Sequence, residues 1–281
     1  MTSAEAATPA AFQITVQPSG RAFSANAGEA ILSAAIRSGV GLPYGCKDGA
    51  CGSCKCKKIS GAVHHGEHQS KALTADEEAA GLVLTCCAQP LTDVVADVTV
   101  IDRDTLQRMM RAHTRFGTTA MLPTVITDSV AVMQQAADVI AQAISDGEPG
   151  IIGVHFEGPH LSVPKKGVHP EQHIRRLSPD ELAIYRRTDI GIKMVTVAPE
   201  TISAEQIREL VALNVIVCLG HSNADAATVQ AALEAGASGF THLYNAMSPL
   251  TSREPGMVGV ALADPGSWCG AIFDGYHMHP V

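Results

Sequence analysis

The cysteines are crowded into one short region of this 281-residue chain. Six of the eight fall between Cys46 and Cys87, and only Cys218 and Cys269 follow. The sequence begins without a basic segment followed by an apolar one, and no apolar run is long enough to cross a bilayer, so we expect a cytoplasmic protein with no membrane contact. In a reducing compartment, such a group of cysteines indicates a metal site rather than a disulfide framework.

The spacing of three of these cysteines narrows the choice of metal. Cys46, Cys51 and Cys54 follow the pattern C-x4-C-x2-C, which is the spacing of plant-type [2Fe-2S] sites. Thiolates are soft ligands for iron and sulfide, and the small residues Gly49 and Gly52 let backbone N–H groups approach the cluster. Zinc is the alternative, although zinc ribbons pair two C-x2-C units and only one is present here.

Together with its flanking strands, this segment resembles the ferredoxin-like domain of multi-component oxygenase reductases and related flavin-dependent reductases. That family places its fourth ligand in a Leu-x-Cys-Gln-Ala sequence, which matches Leu84-Thr-Cys-Cys-Ala here. The resemblance implies that Cys86 is the fourth cluster ligand and that Cys56 and Cys87 are neighbours of the cluster. It also implies an α+β ferredoxin-like (β-grasp) domain over 10–102, which passes single electrons. Because no flavin domain is recognisable, the expected electron partner is a separate flavin-containing reductase or oxidase.

The sequence pattern changes near residue 104. Before it, strands are predicted at 12–16 and 94–100, with one helix at 30–38. After it, apolar strands alternate with amphipathic helices, which indicates parallel βαβ units in an α/β sheet or barrel. The strands are predicted at 119–126, 151–156, 192–197, 215–219, 239–243 and 269–273, and the helices at 132–145, 179–186, 204–213 and 226–235.

Three residues that can bind metals fall near the ends of these predicted strands, namely Glu157, His221 and His242. Functional side chains collect at the carboxyl ends of parallel strands, so the three are expected to meet. Three ligands with an open fourth position suit a divalent ion that activates water. A single histidine near a strand end is more often structural, and we interpret His155 in that way, with its side chain directed away from the neighbours of Glu157.

The second half also carries a series of ordered motifs. They include Gly117-Thr-Thr-Ala-Met-Leu-Pro-Thr124, His155-Phe-Glu-Gly-Pro159, Lys165-Lys-Gly-Val-His169, Ala198-Pro-Glu200, Gly220-His-Ser-Asn223, Thr241-His-Leu-Tyr-Asn-Ala-Met247, Arg253-Glu-Pro-Gly256 and Asp274-Gly-Tyr-His277. In this order they resemble the N-acetylglucosamine-6-phosphate deacetylases, which are amidohydrolase-like barrels. The resemblance covers 105–281, which we take as the second domain.

The resemblance implies a role for each matching residue. Glu157, His221 and His242 would bind one divalent metal, for which zinc is expected and iron and manganese stay open. The substrate, N-acetylglucosamine 6-phosphate, would be contacted by Val168, His169, Asn245, Ala246, Arg253 and His277. Arg253 would reach the phosphate in a neighbouring subunit, implying a homodimer, and His277 the acetamido group. The implied reaction is hydrolysis of the amide to acetate and glucosamine 6-phosphate. Without the resemblance, Arg253 could be an ordinary surface cation and His169 a loop histidine.

The sequence departs from this family at both ends. The ferredoxin-like segment stands where the family has its small β-domain and first barrel strand, and the strand that carries the catalytic Asp is missing. We therefore expect an incomplete TIM-type barrel with about six of eight strands. No catalytic base is identifiable, only His277 in an assisting role, and loss of such a group costs on the order of a hundredfold to ten-thousandfold in rate. A truncated or spliced reading frame explains this better than an electron-coupled deacetylase.

Three hypotheses for function follow. The first is an electron-transfer module joined to an impaired deacetylase, and the second is a subunit whose barrel is completed by another chain. The third is a plain ferredoxin-type electron carrier with a non-functional C-terminal fragment. A net charge of -8 without a Lys/Arg-rich block argues against a nucleic-acid partner.

Overall fold

A computed structural model describes residues 11–17, 20–40, 42–44, 47–50, 52, 54–98, 103–273 and 277–279. The chain forms two compact units, 1–118 and 119–281. We predicted domains at 10–102 and 105–281, and the helix that follows residue 102 groups with the first unit instead of the second. Within the described ranges, no helix has the length and apolar character needed to cross a membrane.

The first unit is a mixed sheet with short helices. Its elements are β1 (Ala11–Gln17), β2 (Arg21–Asn26), α1 (Ile31–Arg37), β3 (Lys55–Ser60), β4 (Val63–His64), α2 (Ala75–Ala79), β5 (Leu82–Leu84), β6 (Gln89–Pro90), β7 (Val94–Asp97) and α3 (Arg103–Thr114). Five strands form one sheet in the order β2-β1-β7-β3-β5, in which β1 is antiparallel to β2 and parallel to β7. This is the predicted α+β ferredoxin-like arrangement.

Alternation along β1 explains how this unit builds its core. Ile14 and Val16 point inward and are almost fully buried, as expected for a strand with one face in the core. Helix α1 lays Ile31 and Leu32 into the same apolar cluster, which also contains Phe23. The sheet and α1 therefore share one apolar core.

The second unit is a parallel α/β structure. Its elements are β8 (Thr124–Ile126), α4 (Val130–Ser145), β9 (Gly153–Glu157), α5 (Pro179–Tyr185), β10 (Ile192–Val197), α6 (Ala204–Ala212), β11 (Val215–Leu219), α7 (Ala226–Glu234), β12 (Gly239–Phe240), α8 (Gly256–Ala263) and β13 (Trp268–Cys269). The six strands run in the order β13-β12-β11-β10-β9-β8, and all neighbours are parallel. Among the described residues, β8 and β13 each pair with one strand of this sheet only.

The two faces of this sheet differ in chemistry. One face is apolar and lies against the helices, as shown by the Phe156 ring of β9, which packs edge-on against Tyr185 of α5 at a centroid distance of 5.5 Å. The opposite face carries polar side chains such as His155 and Thr124, which line a cavity. Helix starts are fixed locally, since Ser178 and Ser203 form capping boxes with Glu181 and Gln206.

Lys193 is a buried cation between two helix ends. Its side chain leaves β10 and its Nζ donates to the carbonyls of Tyr185 at 2.8 Å, Arg187 at 3.0 Å and Leu213 at 2.8 Å. These carbonyls belong to the C-terminal ends of α5 and α6, where unpaired acceptors and the helix dipole favour a positive charge. Burial lowers the pKa of Lys193.

We expect Lys193→Met to destabilise the second unit by about 2 kcal/mol, because the substitution would leave three buried carbonyl groups without their shared donor. The measurement is hydrogen exchange of the β10 amides across a urea series. Lys166→Met, at a less buried lysine of the same unit, is the matched control. Equal protection of β10 in both variants would contradict this role.

Candidate functional site

Two of the predicted cluster ligands lie side by side in the first unit. Cys54 precedes β3 and Cys86 follows β5, and their Sγ atoms are 3.1 Å apart. This separation exceeds an S–S bond of about 2.05 Å, and neither cysteine is in a disulfide, so one metal ion could bind both. Cys46 and Cys51 lie outside the described residues.

The backbone on either side of these thiols is fixed by hydrogen bonds and approaches the sulfur atoms closely. The first two amides of α1 donate to the loop that carries Cys86, from Ile31 to the Ala88 carbonyl at 2.9 Å and from Leu32 to the Thr85 carbonyl at 2.8 Å. Gly49 has φ 74°, and a Cβ there would lie 2.8 Å from the Sγ of Cys87. Only glycine fits such a position, so the backbone approaches the sulfur atoms without interference. This environment fits a thiolate-held iron–sulfur cluster.

Cys56 and Cys87 occupy different surroundings. Cys56 is buried in the apolar core of the first unit, and burial, reinforced by Cys54 and Asp97, raises its pKa to about 12. Its thiol therefore stays protonated. Cys87 lies next to the ligand pair, with its Sγ 3.5 Å from that of Cys86, so the choice between these adjacent cysteines as fourth ligand stays a prediction.

In the second unit, Glu157, His221 and His242 converge on one point. The Oε1 atom of Glu157 lies 3.2 Å from Nε2 of His221 and 2.9 Å from Nε2 of His242, and the two Nε2 atoms are 3.0 Å apart. Glu157 ends β9, and the two histidines follow β11 and β12. The carboxyl ends of three parallel strands thus present one carboxylate and two imidazoles to a shared space, which is a donor set suited to a divalent transition metal.

Supporting contacts orient the first of these histidines. Nδ1 of His221 lies 2.8 Å from the Lys165 carbonyl, a contact that places the proton on Nδ1 and leaves Nε2 free to bind metal. The backbone of His221 has φ 47° and that of His242 has φ 39°. Left-handed backbone is costly for such residues and persists where the surrounding structure enforces it.

Electrostatics within the cluster favour an ionised carboxylate. Burial acts to raise the pKa of Glu157, but its close contacts with the His221 and His242 imidazoles, with His169 nearby, hold it well below its ordinary value. For His242, burial acts to lower the pKa and the hydrogen bond to Glu157 outweighs it, so the pKa is raised. The Glu157 carboxylate is therefore ionised and lies among imidazole groups, as a metal ligand requires.

A third histidine reaches the same site. Glu157, His169 and His221 place one ligand atom each within 4.8 Å of one another, and the His169 and His221 rings are 4.3 Å apart between centroids. His169 was predicted from the resemblance as a substrate contact. Its Nδ1 lies 2.9 Å from Oγ1 of Thr127, and burial, followed by the charge of His221, lowers its pKa to about 4. A neutral imidazole at this position could serve metal or substrate.

The predicted direction of the His155 side chain was wrong, while its interpretation as a structural residue stays a prediction. Side chains two apart on a strand share a face, so His155 points to the same side as Glu157 and lines the same cavity. Its ring is held by Thr196 at 2.7 Å from Nε2 and by Thr124 at 3.0 Å from Nδ1. Burial lowers its pKa to about 4, and the neutral ring forms a polar layer next to the metal-binding residues.

The cavity over this face has a volume of about 630 Å³. It is lined by polar residues that include Thr124, Thr241 and His242 and by apolar ones such as Met194 and Ile216. Among the described residues that line it, Glu157 is the one carboxylate. The lining is mainly apolar, and the cavity borders two of the metal-binding residues, Glu157 and His242.

The other predicted substrate residues are spread around this cluster. Asn245 and Ala246 lie in the turn after His242, where the amide of Ser222 donates to the Ala246 carbonyl at 3.1 Å. Val168, Arg253 and His277 are exposed. Their contact with a substrate stays a prediction.

Sequence reasoning gave no role to Glu200, although its motif was noted. The Glu200 carboxylate accepts from Ser222 Oγ at 2.6 Å and from the Asn223 amide at 2.7 Å, which clamps the segment that follows His221. A carboxylate directly after a strand-end Ala-Pro pair was the available signal, but its partner residues lie in a distant loop.

Comparison with known proteins separates the chain into the same two parts. Residues 14–91 match the family described as the 2Fe-2S iron-sulfur cluster binding domain. The remainder is similar to amino sugar phosphate deacetylases. The N-acetylgalactosamine-6-phosphate deacetylase of Shewanella sp. (strain ANA-3) is 61% identical over 178 residues, which are 63% of this chain and 45% of that protein.

Further relatives agree with this division. The N-acetylglucosamine-6-phosphate deacetylase of Vibrio furnissii is 40% identical over 66% of this chain and 47% of its own length. The crystal structure of that enzyme from Pasteurella multocida matches with a TM-score of 0.60 and 40% identity, covering 64% of this chain and 47% of the other. Both resemblances predicted from the sequence are confirmed, and the chain spans about half the length of the curated relatives it matches.

Proposed function

We propose that the first unit is a one-electron carrier with a [2Fe-2S] cluster held by Cys46, Cys51, Cys54 and Cys86. The observation that supports it most directly is the pairing of the Cys54 and Cys86 thiols at 3.1 Å, in a segment that matches the cluster-binding family. The cluster supplies reversible uptake of one electron. The protein's own part is to hold four thiolates and to exclude water with helix α1 and the loop that contains Gly49.

We further propose that the second unit binds one divalent metal through Glu157, His221 and His242, with zinc as the expected ion and His169 beside it. The ligand proposed for this site is an N-acetylated amino sugar 6-phosphate, by similarity to the deacetylases. The metal would polarise the amide carbonyl. His221 and His242 hold their Nε2 atoms toward the site, and His169, which is neutral, can donate a hydrogen bond to a sugar oxygen.

Hydrolysis by this chain alone is proposed to be weak. Amide cleavage needs a group that moves a proton in the transition state, and Glu157, the one carboxylate among the described cavity-lining residues, is engaged by two histidines. Loss of a general acid–base group costs on the order of a hundredfold to ten-thousandfold in rate. Ligand binding without efficient turnover is the expected behaviour.

The galactosamine epimer is a second candidate ligand. One relative named for N-acetylgalactosamine 6-phosphate is 61% identical, and a second, from Escherichia coli O157:H7, is 40% identical. Relatives named for N-acetylglucosamine 6-phosphate, such as those of Vibrio furnissii and Bos taurus, are 40% identical. The two sugars differ in the orientation of one hydroxyl group, and a hydrogen-bonding site can discriminate such groups strongly.

The test is calorimetric titration of the zinc-loaded chain with each sugar phosphate, combined with an assay for acetate release. We expect binding that disappears after metal removal by a chelator, and acetate release that is at least about a hundredfold slower than that of a full-length deacetylase. Rapid acetate release would contradict the proposed impairment. Absence of binding in both titrations would favour a plain electron carrier instead.

The proposed electron partner is a separate flavin-containing reductase or oxidase. Clusters of this spacing exchange single electrons, and a flavin can divide a two-electron hydride transfer into such steps. Reduction of the cluster absorbance by a flavin reductase with a nicotinamide cofactor would support this partner class.

A further inference from the structure

Helix α3 follows the segment matched to the cluster-binding family, yet it belongs to the same compact unit. Its residue Arg108 lies against the cysteine loop. Gly52 has φ 79°, and a Cβ on it would lie 3.4 Å from Cδ of Arg108 and 3.3 Å from the Ala72 carbonyl oxygen. Because Gly52 stands between Cys51 and Cys54, the arginine stem covers the backbone of the ligand loop.

The guanidinium group of Arg108 is held by contacts with its own helix and with α2. Its Nη2 donates to Thr105 Oγ1 at 3.0 Å, and its Nη1 lies 4.0 Å from Oε1 of Glu77. The Arg108 side chain is 15% exposed, and its Nε is buried with no hydrogen-bond partner among the described residues. A positive charge is therefore kept in a poorly solvated position.

A second cation lies in the same place. Lys55 directly follows the ligand Cys54, its side chain is 3% exposed, and its Nζ is 2.6 Å from the same Oε1 of Glu77. Burial acts to raise the pKa of Glu77, but the hydrogen bond from Lys55 and the charge of Arg108 keep it lowered. Two cations thus share one carboxylate, so these three side chains together carry a net charge of about +1.

We propose that α3 is a cap on the cluster loop and that Arg108 raises the reduction potential of the cluster. This inference rests on the proposed cluster. One-electron reduction adds a negative charge to an already anionic group, so a nearby buried cation stabilises the reduced form more than the oxidised form. Arg108 is thus a tuning residue that acts through the loop, outside the segment that holds the ligands.

The test is a spectroelectrochemical titration of the full chain, followed by the visible absorbance of the cluster. We expect Arg108→Gln to lower the reduction equilibrium constant about threefold, which is a shift of about 28 mV to more negative potential at about 59 mV per tenfold. Arg111→Gln is the matched control, since Arg111 is on the same helix but exposed to solvent, where its charge is screened.

Two further variants separate charge from packing. Arg108→Lys keeps the charge and should keep most of the potential, and Glu77→Gln removes the opposing charge and should shift the potential upward. If the potentials of Arg108→Gln and Glu77→Gln were unshifted while the cluster spectrum stayed intact, the role of Arg108 would be overturned and the proposed cluster would not. A wild-type chain that contains no iron or sulfide after reconstitution would overturn the proposed cluster and the inference with it.

Discussion

Replacing Cys86 by alanine is expected to remove nearly all iron, acid-labile sulfide and visible absorbance from the purified chain. Its Sγ lies 3.1 Å from that of Cys54, and loss of one of four thiolates leaves an iron ion with an incomplete coordination shell. The measurement is the ratio of iron and sulfide to protein after anaerobic reconstitution, read together with the absorbance spectrum.

The adjacent cysteine provides a matched control for this variant. Cys87→Ala removes a thiol of the same size, one residue away and 3.5 Å from the Cys86 sulfur, and should retain the cluster. If Cys87→Ala lost the cluster while Cys86→Ala kept it, the fourth ligand would be Cys87. Loss of iron from both variants would show that the pair acts together.

In the second unit, Glu157→Gln should weaken zinc binding by about a hundredfold or more. Changes even in outer contacts of metal sites cost about ten- to a hundredfold in affinity, and this change removes the one negative charge from a donor set that also contains His221 and His242. The measurement is competition for zinc with a chromophoric chelator, with about one ion per chain expected in the wild type.

Glu209→Gln is the control for this substitution. Glu209 is a partly exposed glutamate of α6 that pairs with Arg186 at 3.0 Å, and its neutralisation should leave zinc affinity unchanged. Equal affinity in Glu157→Gln and wild type would refute the assignment of the metal to this site. A similar loss in His169→Asn would indicate that His169 also binds the metal.

Regular elements were the part of the fold that the sequence predicted well. Strands β10 and β11 have the predicted bounds, because each is a short run rich in β-branched residues between helices. Strand β12 is shorter than predicted and ends at Phe240, where the chain turns so that His242 adopts a left-handed backbone. Helix α8 was not predicted, since it is apolar on all sides and shows no 3.6-residue pattern.

The site was predictable where strand ends determine it. Glu157 ends a strand, His221 and His242 each follow one, and parallel pairing brings strand ends to one edge. The contacts of Glu200 and Arg108 could not be predicted from strand ends. Their partners, Ser222 and Gly52, come close through loop conformation rather than strand register. Loop geometry depends on tertiary contacts that no local pattern contains.

The two border strands of the parallel sheet, β8 and β13, have a practical bearing on any preparation of this chain, because among the described residues each pairs with one strand only. Strand β13 carries Trp268, which is 83% exposed, and both β13 and β8 present backbone N–H and C=O groups along their outer sides. Such borders template strand addition from neighbouring molecules. The expected consequence is self-association that rises with protein concentration. Oligomers in concentrated stocks would then arise from strand pairing at these borders more than from a specific quaternary structure.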